Sequence, residues 1–209
     1  MPGTSGSHAL ATMTSVDTLQ RFGLKLFLEP DAAVNVSTFI PVFHRWIQTH
    51  AVDGLLIDVA DYTHLSDGPS VLLAGYEGNY AIDRSEGRIG LYYYRKQVAM
   101  GSLVERFVAA GRTLLKAGIL LEADEAVGPV CRFRGDEIQF VANDRLLAPA
   151  TPETTAALKP ALDAFSATLF NEKAHGELEP SKRQDRLRVG LRATRSRPLQ
   201  DLLTNLSKT

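Results

Sequence analysis

Between Asp61 and Lys96 the chain reads DYTHLSDGPSVLLAGYEGNYAIDRSEGRIGLYYYRK, and no other stretch restricts the fold as strongly. Residues alternate in character on either side of Arg84-Ser85-Glu86-Gly87. A period of two is a strand signal, and two strands joined by so short a turn must pair antiparallel. A chain built around this hairpin is not a doubly wound parallel fold.

The register follows from the turn. With Ser85-Glu86 at the tip, Arg84 pairs with Gly87, Asp83 with Arg88 and Ile82 with Ile89. Paired residues share a face. One face then carries Leu72, Tyr76, Tyr80, Ile82, Ile89, Leu91 and Tyr93, and is expected in the core. The other carries Glu77, Asn79, Asp83, Arg88, Tyr92, Tyr94 and Lys96. Tyrosines set among amides and cations suit recognition, because the ring gives rigid area and the hydroxyl a hydrogen bond. Asn79, Arg88, Tyr92, Tyr94 and Lys96 are therefore the candidate ligand-binding residues. The same pattern also fits a structural sheet face, with half-exposed tyrosines and a cross-strand Asp83–Arg88 pair.

The rest of the chain supplies further strands and helices. Residues 1–16 read as a disordered tail, 17–170 as one α+β domain, and 171–209 as a linker with a closing strand and short helix on the same domain. Phe22 to Leu28 alternates as a half-buried strand, and Ser37 is placed to cap a helix with Phe39, Phe43 and Trp46 on its apolar stripe. Leu55 to Val59 is apolar enough for a central strand. Ser102 and Glu105 form a capping box for a helix whose apolar side includes Gly111 and Gly118. Val130–Phe133 and Glu137–Val141 around Arg134-Gly135-Asp136 suggest a second hairpin. Thr151-Pro152 starts another helix, in which Pro160 is expected to force a kink or a late start. Arg186 to Ala193 alternates again, and Leu199, Leu202 and Leu203 close the chain. The expected fold is α+β: a mixed, largely antiparallel sheet of two hairpins plus flanking strands, with amphipathic helices packed on it.

Composition excludes several functions. A formal net charge of -1 over 209 residues makes nucleic acid an improbable partner. The single cysteine, Cys131, rules out an intrachain disulfide and reads as a buried thiol. No apolar run has the length of a membrane span, and no secretory signal opens the chain, so a cytoplasmic protein without membrane partners is expected. Phosphate loops, GxGxxG openings, HExxH and GxSxG are missing. No metal or cofactor is expected.

The leading functional expectation is a non-catalytic binding or assembly domain. It would act through the polar, tyrosine-rich hairpin face on a protein partner or small anionic ligand, with homo-oligomerisation an open option. Two alternatives stand beside it. Asp61, His64 and Glu77 would serve an enzyme acting on an anionic substrate if they met in one pocket, with His64 moving the proton. The basic segment 182–197, from Lys182 and Arg183 to Arg197, would contact phosphates or nucleic acid.

Overall fold

A computed structural model describes residues 15–29, 34–172, 175–178 and 185–208. In chain order the elements are β1 (Phe22–Leu28), α1 (Phe39–Thr49), β2 (Leu56–Asp61), β3 (Pro69–Gly75), β4 (Gly78–Asp83), β5 (Gly90–Arg95), α2 (Leu103–Glu122), β6 (Phe133–Ala142), α3 (Pro152–Phe170), β7 (His175–Leu178), β8 (Arg188–Arg192) and α4 (Leu199–Ser207). Among the described residues the strands form one sheet of eight, ordered β2-β3-β4-β5-β1-β6-β8-β7. Every pairing is antiparallel. The expected α+β class is thus observed. Most of tail 1–16 lies outside the described residues.

The helices share one hydrophobic core with one face of this sheet. Phe22, Leu24 and Leu26 of β1 and Tyr80, Ile82, Leu91 and Tyr93 of the hairpin meet Trp46, Phe107, Leu114, Phe165 and Leu202 there. The capping box of α2 forms as expected: the Glu105 amide donates to Ser102 Oγ at 3.3 Å, and the Ser102 amide donates to the Glu105 carboxylate at 2.6 Å. Gly118 lets α2 close on Leu26 and Leu199, and Gly111 lets it close on Leu206 and Phe165. Thr151 caps α3, Pro152 sits in its first turn, and the helix runs on through an exposed Pro160.

Several expectations are corrected. The hairpin turn is wider, because Glu86 and Gly87 both take left-handed backbone (φ 65° and 70°), and Asp83 faces Gly90 rather than Arg88. The shift preserves parity, so Tyr80, Ile82, Leu91 and Tyr93 face the core while Asn79, Asp83, Tyr92 and Tyr94 face the other way. The preceding strand is two strands, since the chain reverses at Tyr76-Glu77. That reversal puts Leu73, not Leu72, beside Tyr80, and leaves Tyr76 exposed. Ser37 is not the cap of the first helical segment; the Asn35 side chain accepts from the Ser37 amide.

Two corrections concern position in the sheet. The apolar run Leu55 to Val59 forms the edge strand, with Leu55 60% and Ile57 56% exposed. Arg134-Gly135-Asp136 makes no hairpin; it lies within β6, one long strand between β1 and β8. Gly135 is where β6 lies against the Arg197 backbone, and a β-carbon there would fall inside contact distance of the Arg197 carbonyl. Gly135→Ala should therefore lower stability by at least about 2 kcal/mol in urea denaturation, against about 1 kcal/mol for Ser102→Ala at the α2 cap.

Candidate functional site

The face of the sheet turned away from the helices covers itself with its own side chains. One row of paired residues crosses it: Ala60, Leu72, Ala81, Tyr92, Lys25, Gln139 and Gly190. Within it, between Tyr92 and Gln139, Lys25 is 2% exposed. Its Nζ donates to Asp83 Oδ1 at 2.6 Å, to the Arg88 carbonyl at 2.8 Å and to the Ser85 carbonyl at 3.4 Å. Burial pulls its pKa below the usual lysine value, against the opposing attraction of Asp83. The Asp83 carboxylate also accepts the Ser85 amide and hydroxyl, both at 3.0 Å.

Two tyrosines stand beside this pair. The Tyr92 ring lies over Gly23, in space that a β-carbon would fill, and is 6% exposed. Its hydroxyl donates to Asn143 Oδ1 at 3.1 Å, and Asn143 Nδ2 donates to the Tyr92 hydroxyl oxygen at 2.9 Å. Burial pushes the Tyr92 phenol up to about 12. Tyr94 lies next to it, ring centres 5.3 Å apart, and its hydroxyl accepts from Asn79 Nδ2 at 2.7 Å. Asn79 Oδ1 in turn accepts the Gly75 amide at 3.1 Å, which ties the tyrosine to the turn between β3 and β4.

These tyrosines wall a cleft of about 430 Å³ whose other lining includes Arg21, Arg95, Lys96, Arg186, Asn143 and Asp83. Among the described residues four cations face a single carboxylate there, and that carboxylate is held by Lys25. Arg186 donates to Asn143 Oδ1 at 3.0 Å, and Arg95 to the Gln97 carbonyl at 3.1 Å. No carboxylate among the described residues pairs with Arg21, Arg95, Lys96 or Arg186.

On the other half of the face the cations Arg88, Arg134, Arg188 and Arg192 each meet a carboxylate. Glu137, 1% exposed, takes both Arg88 nitrogens at 2.8 and 2.7 Å, with Arg134 and Arg192 each at 3.2 Å. Burial alone would raise its pKa, but the hydrogen bonds and charge of Arg88, then of Arg192 and Arg134, hold it below the usual glutamate value. The Arg88 guanidinium lies 3.5 Å from the Phe27 ring centre. Arg188 pairs with Glu86 at 2.8 Å.

Of the residues expected to bind ligand, Tyr92, Tyr94 and Lys96 line the cleft. Asn79 supports Tyr94 from beneath. Arg88 belongs to the Glu137 network, because the wider turn carries it away from Asp83. Within the basic segment only Arg186 lines the cleft; Arg188, Arg192 and Arg197 face carboxylates, and Lys182 and Arg183 lie outside the described residues.

Asp61, His64 and Glu77 are not brought together. Asp61 ends β2, where its carboxylate accepts the Thr63 amide at 2.8 Å; that bond holds its pKa below the usual aspartate value. His64 follows in an exposed loop. Glu77 sits at the opposite end of β2, accepting the Leu55 amide at 3.0 Å. The length of β2 separates them, about 17 Å at strand rise. Cys131 is buried, and burial raises its thiol to about 12. Among the described residues no three metal-ligating side chains cluster, and no helix is long and apolar enough to cross a membrane.

No known family model, curated protein or solved structure matches this chain. The site therefore rests on its own chemistry. Arg21 and Asn143 are lining residues that sequence reasoning passed over, while Arg186 enters it only as one member of the basic segment. The three come from the start of β1, the end of β6 and the approach to β8, and converge only because β1 lies between β5 and β6. Lys25 did carry a signal, as the lone charge inside an apolar strand.

Tyr92 supplies a test of this packing. Its folded pKa lies above the ordinary 10, so its contribution to stability is complete below pH 10 and is lost as pH rises through about 12. Ultraviolet phenolate titration of the wild type minus Tyr92→Phe should show a midpoint near 12; a difference band near 10 would mean an exposed ring.

Proposed function

We propose that this chain is a binding domain whose ligand site is the Tyr92–Tyr94 cleft on the open face of the sheet, and that its ligand is anionic. The observation that carries this reading is the charge balance of the lining: Arg21, Arg95, Lys96 and Arg186 against one carboxylate already held by Lys25. Cations converging on a concave, partly apolar wall attract and orient anions. Tyr94 adds a half-exposed ring fixed by Asn79, which is inexpensive contact area because it loses little rotamer freedom on binding.

The separation of Asp61, His64 and Glu77 removes support from the enzyme alternative. Among its described residues the basic segment contributes through Arg186 alone, so phosphate contact through Arg188, Arg192 and Arg197 has little support.

Pyrophosphate and oligoglutamate serve as anionic probes, followed by calorimetry and anisotropy. At least one should bind, weakening as salt is raised and losing about tenfold in affinity, about 1.4 kcal/mol, in Tyr94→Ala/Lys96→Gln. Lys96→Gln alone is measured beside it and should also weaken binding while melting with the wild type, because Tyr94→Ala additionally removes the contact with Tyr92 and the acceptor of Asn79 Nδ2. Absence of binding by both probes, or binding indifferent to the double substitution, refutes the reading.

A further inference from the structure

The surroundings of the cleft say which kind of anion it takes. At the end of the sheet where Arg95 and Lys96 leave β5, the neighbouring strands expose apolar side chains. Leu55 is 60% exposed, Ile57 56% and Tyr76 53%. Tyr76 and Leu55 are neighbours, since the Tyr76 amide donates to the Leu55 carbonyl at 2.8 Å, and Ile57 follows two residues along the same edge. The Lys96 amide donates to the Glu77 carbonyl, also at 2.8 Å, so the cation cluster begins one residue beyond this apolar corner. Between them the open face is lined by Leu72, Ala81 and Tyr94, part of a second small apolar cluster separate from the core that the helices share.

We infer that the ligand is an acidic, amphipathic polypeptide segment of a protein partner, laid across the strands with apolar residues on Leu55, Ile57 and Tyr76 and carboxylates on Lys96, Arg21 and Arg186. This rests on the cleft reading above and goes beyond it. A free phosphate or other small anion has no use for an apolar corner outside the cleft, whereas a polypeptide spans both.

Geometry and charge set the layout of the segment. From β2 to β5 is three strand spacings, about 14 Å, and to β1 about 19 Å. An extended chain covers that distance in about four to six residues. Direction is fixed as well. β2 carries Asp58 and Asp61, so the acidic end is repelled from the edge strand and attracted to the cleft. The same two aspartates disfavour a second copy of this chain pairing β2 against β2, where like charges would crowd one short strand.

A random dodecapeptide library displayed on phage, selected against the immobilised full chain, tests this. Enriched peptides should place two or more carboxylates about four to six residues from an apolar pair. Synthesised and labelled, they should lose about tenfold in affinity with Lys96→Gln/Arg186→Gln, and independently with Leu55→Ser/Ile57→Ser. The second variant changes only exposed side chains, so it should melt with the wild type. Pyrophosphate at the same concentration should not displace them. If enriched peptides lack carboxylates or apolar residues, if Leu55→Ser/Ile57→Ser leaves their binding unchanged, or if pyrophosphate binds as tightly as they do, the polypeptide inference is overturned. Pyrophosphate binding lost in Lys96→Gln/Arg186→Gln would still leave the anion cleft standing; no binding by peptides or pyrophosphate removes both readings.

Discussion

The Lys25–Asp83 ion pair is the interaction on which the open face depends. Taking two charges out of water costs several kcal/mol per ion, and only close geometry with further hydrogen bonds offsets it. Here Lys25 has three oxygen partners and Asp83 two more donors from Ser85. The partners come from β1, the end of β4 and the turn that follows, so the pair fixes the shape of that turn. The turn then delivers Glu86 to Arg188 and Arg88 to Glu137. A sheet with helices on one side only would ordinarily leave its central strand wet on the other. In this chain β1 is buried along its whole length, because Tyr92 covers Gly23, Asp83 holds Lys25 and Arg88 covers Phe27.

Much of this was legible in the sequence, and the failures have physical reasons. Parity around the hairpin survived an error in turn length, because two extra loop residues on one strand return every side chain to the same face. The reversal at Tyr76-Glu77 was missed because tyrosine and glutamate are not turn residues by composition; the flanking Gly75 and Gly78 carried the signal, through the close approach they permit. Arg134-Gly135-Asp136 failed the other way. Its composition suits a turn, yet Arg134 pairs with Asp136 and Glu137 on the strand surface while Gly135 accommodates the Arg197 backbone. Leu55 to Val59 was placed centrally because hydrophobicity reports burial on average and not position in a sheet. The cleft was half legible, through Tyr92, Tyr94 and Lys96, since Arg21, Asn143 and Arg186 become neighbours only by strand order.

Cationic side chains on the open face therefore divide by what they meet. Arg88, Arg134, Arg188 and Arg192 are each paired with Glu86, Asp136 or Glu137, and their contribution is to cover the sheet. Arg21, Lys96 and Arg186 have no such balancing carboxylate among the described residues, and they gather at one end of the strands. A near-neutral net charge conceals this arrangement, because the excess of one sign is local.

Strand order also bears on how the chain is made. β1 precedes the other described strands in the chain, yet its partners lie far downstream: Leu24 sits opposite Tyr93 on one side and Phe140 on the other. At about 5–20 residues per second, the centre of the sheet waits some seconds during synthesis with one edge unpaired. Contacts so distant in sequence make for slow folding, and an apolar strand held open for that time is a template for misassociation. The lysine inside β1, an ion-pair partner in the finished sheet, is in the nascent chain the one charge that keeps this strand in water.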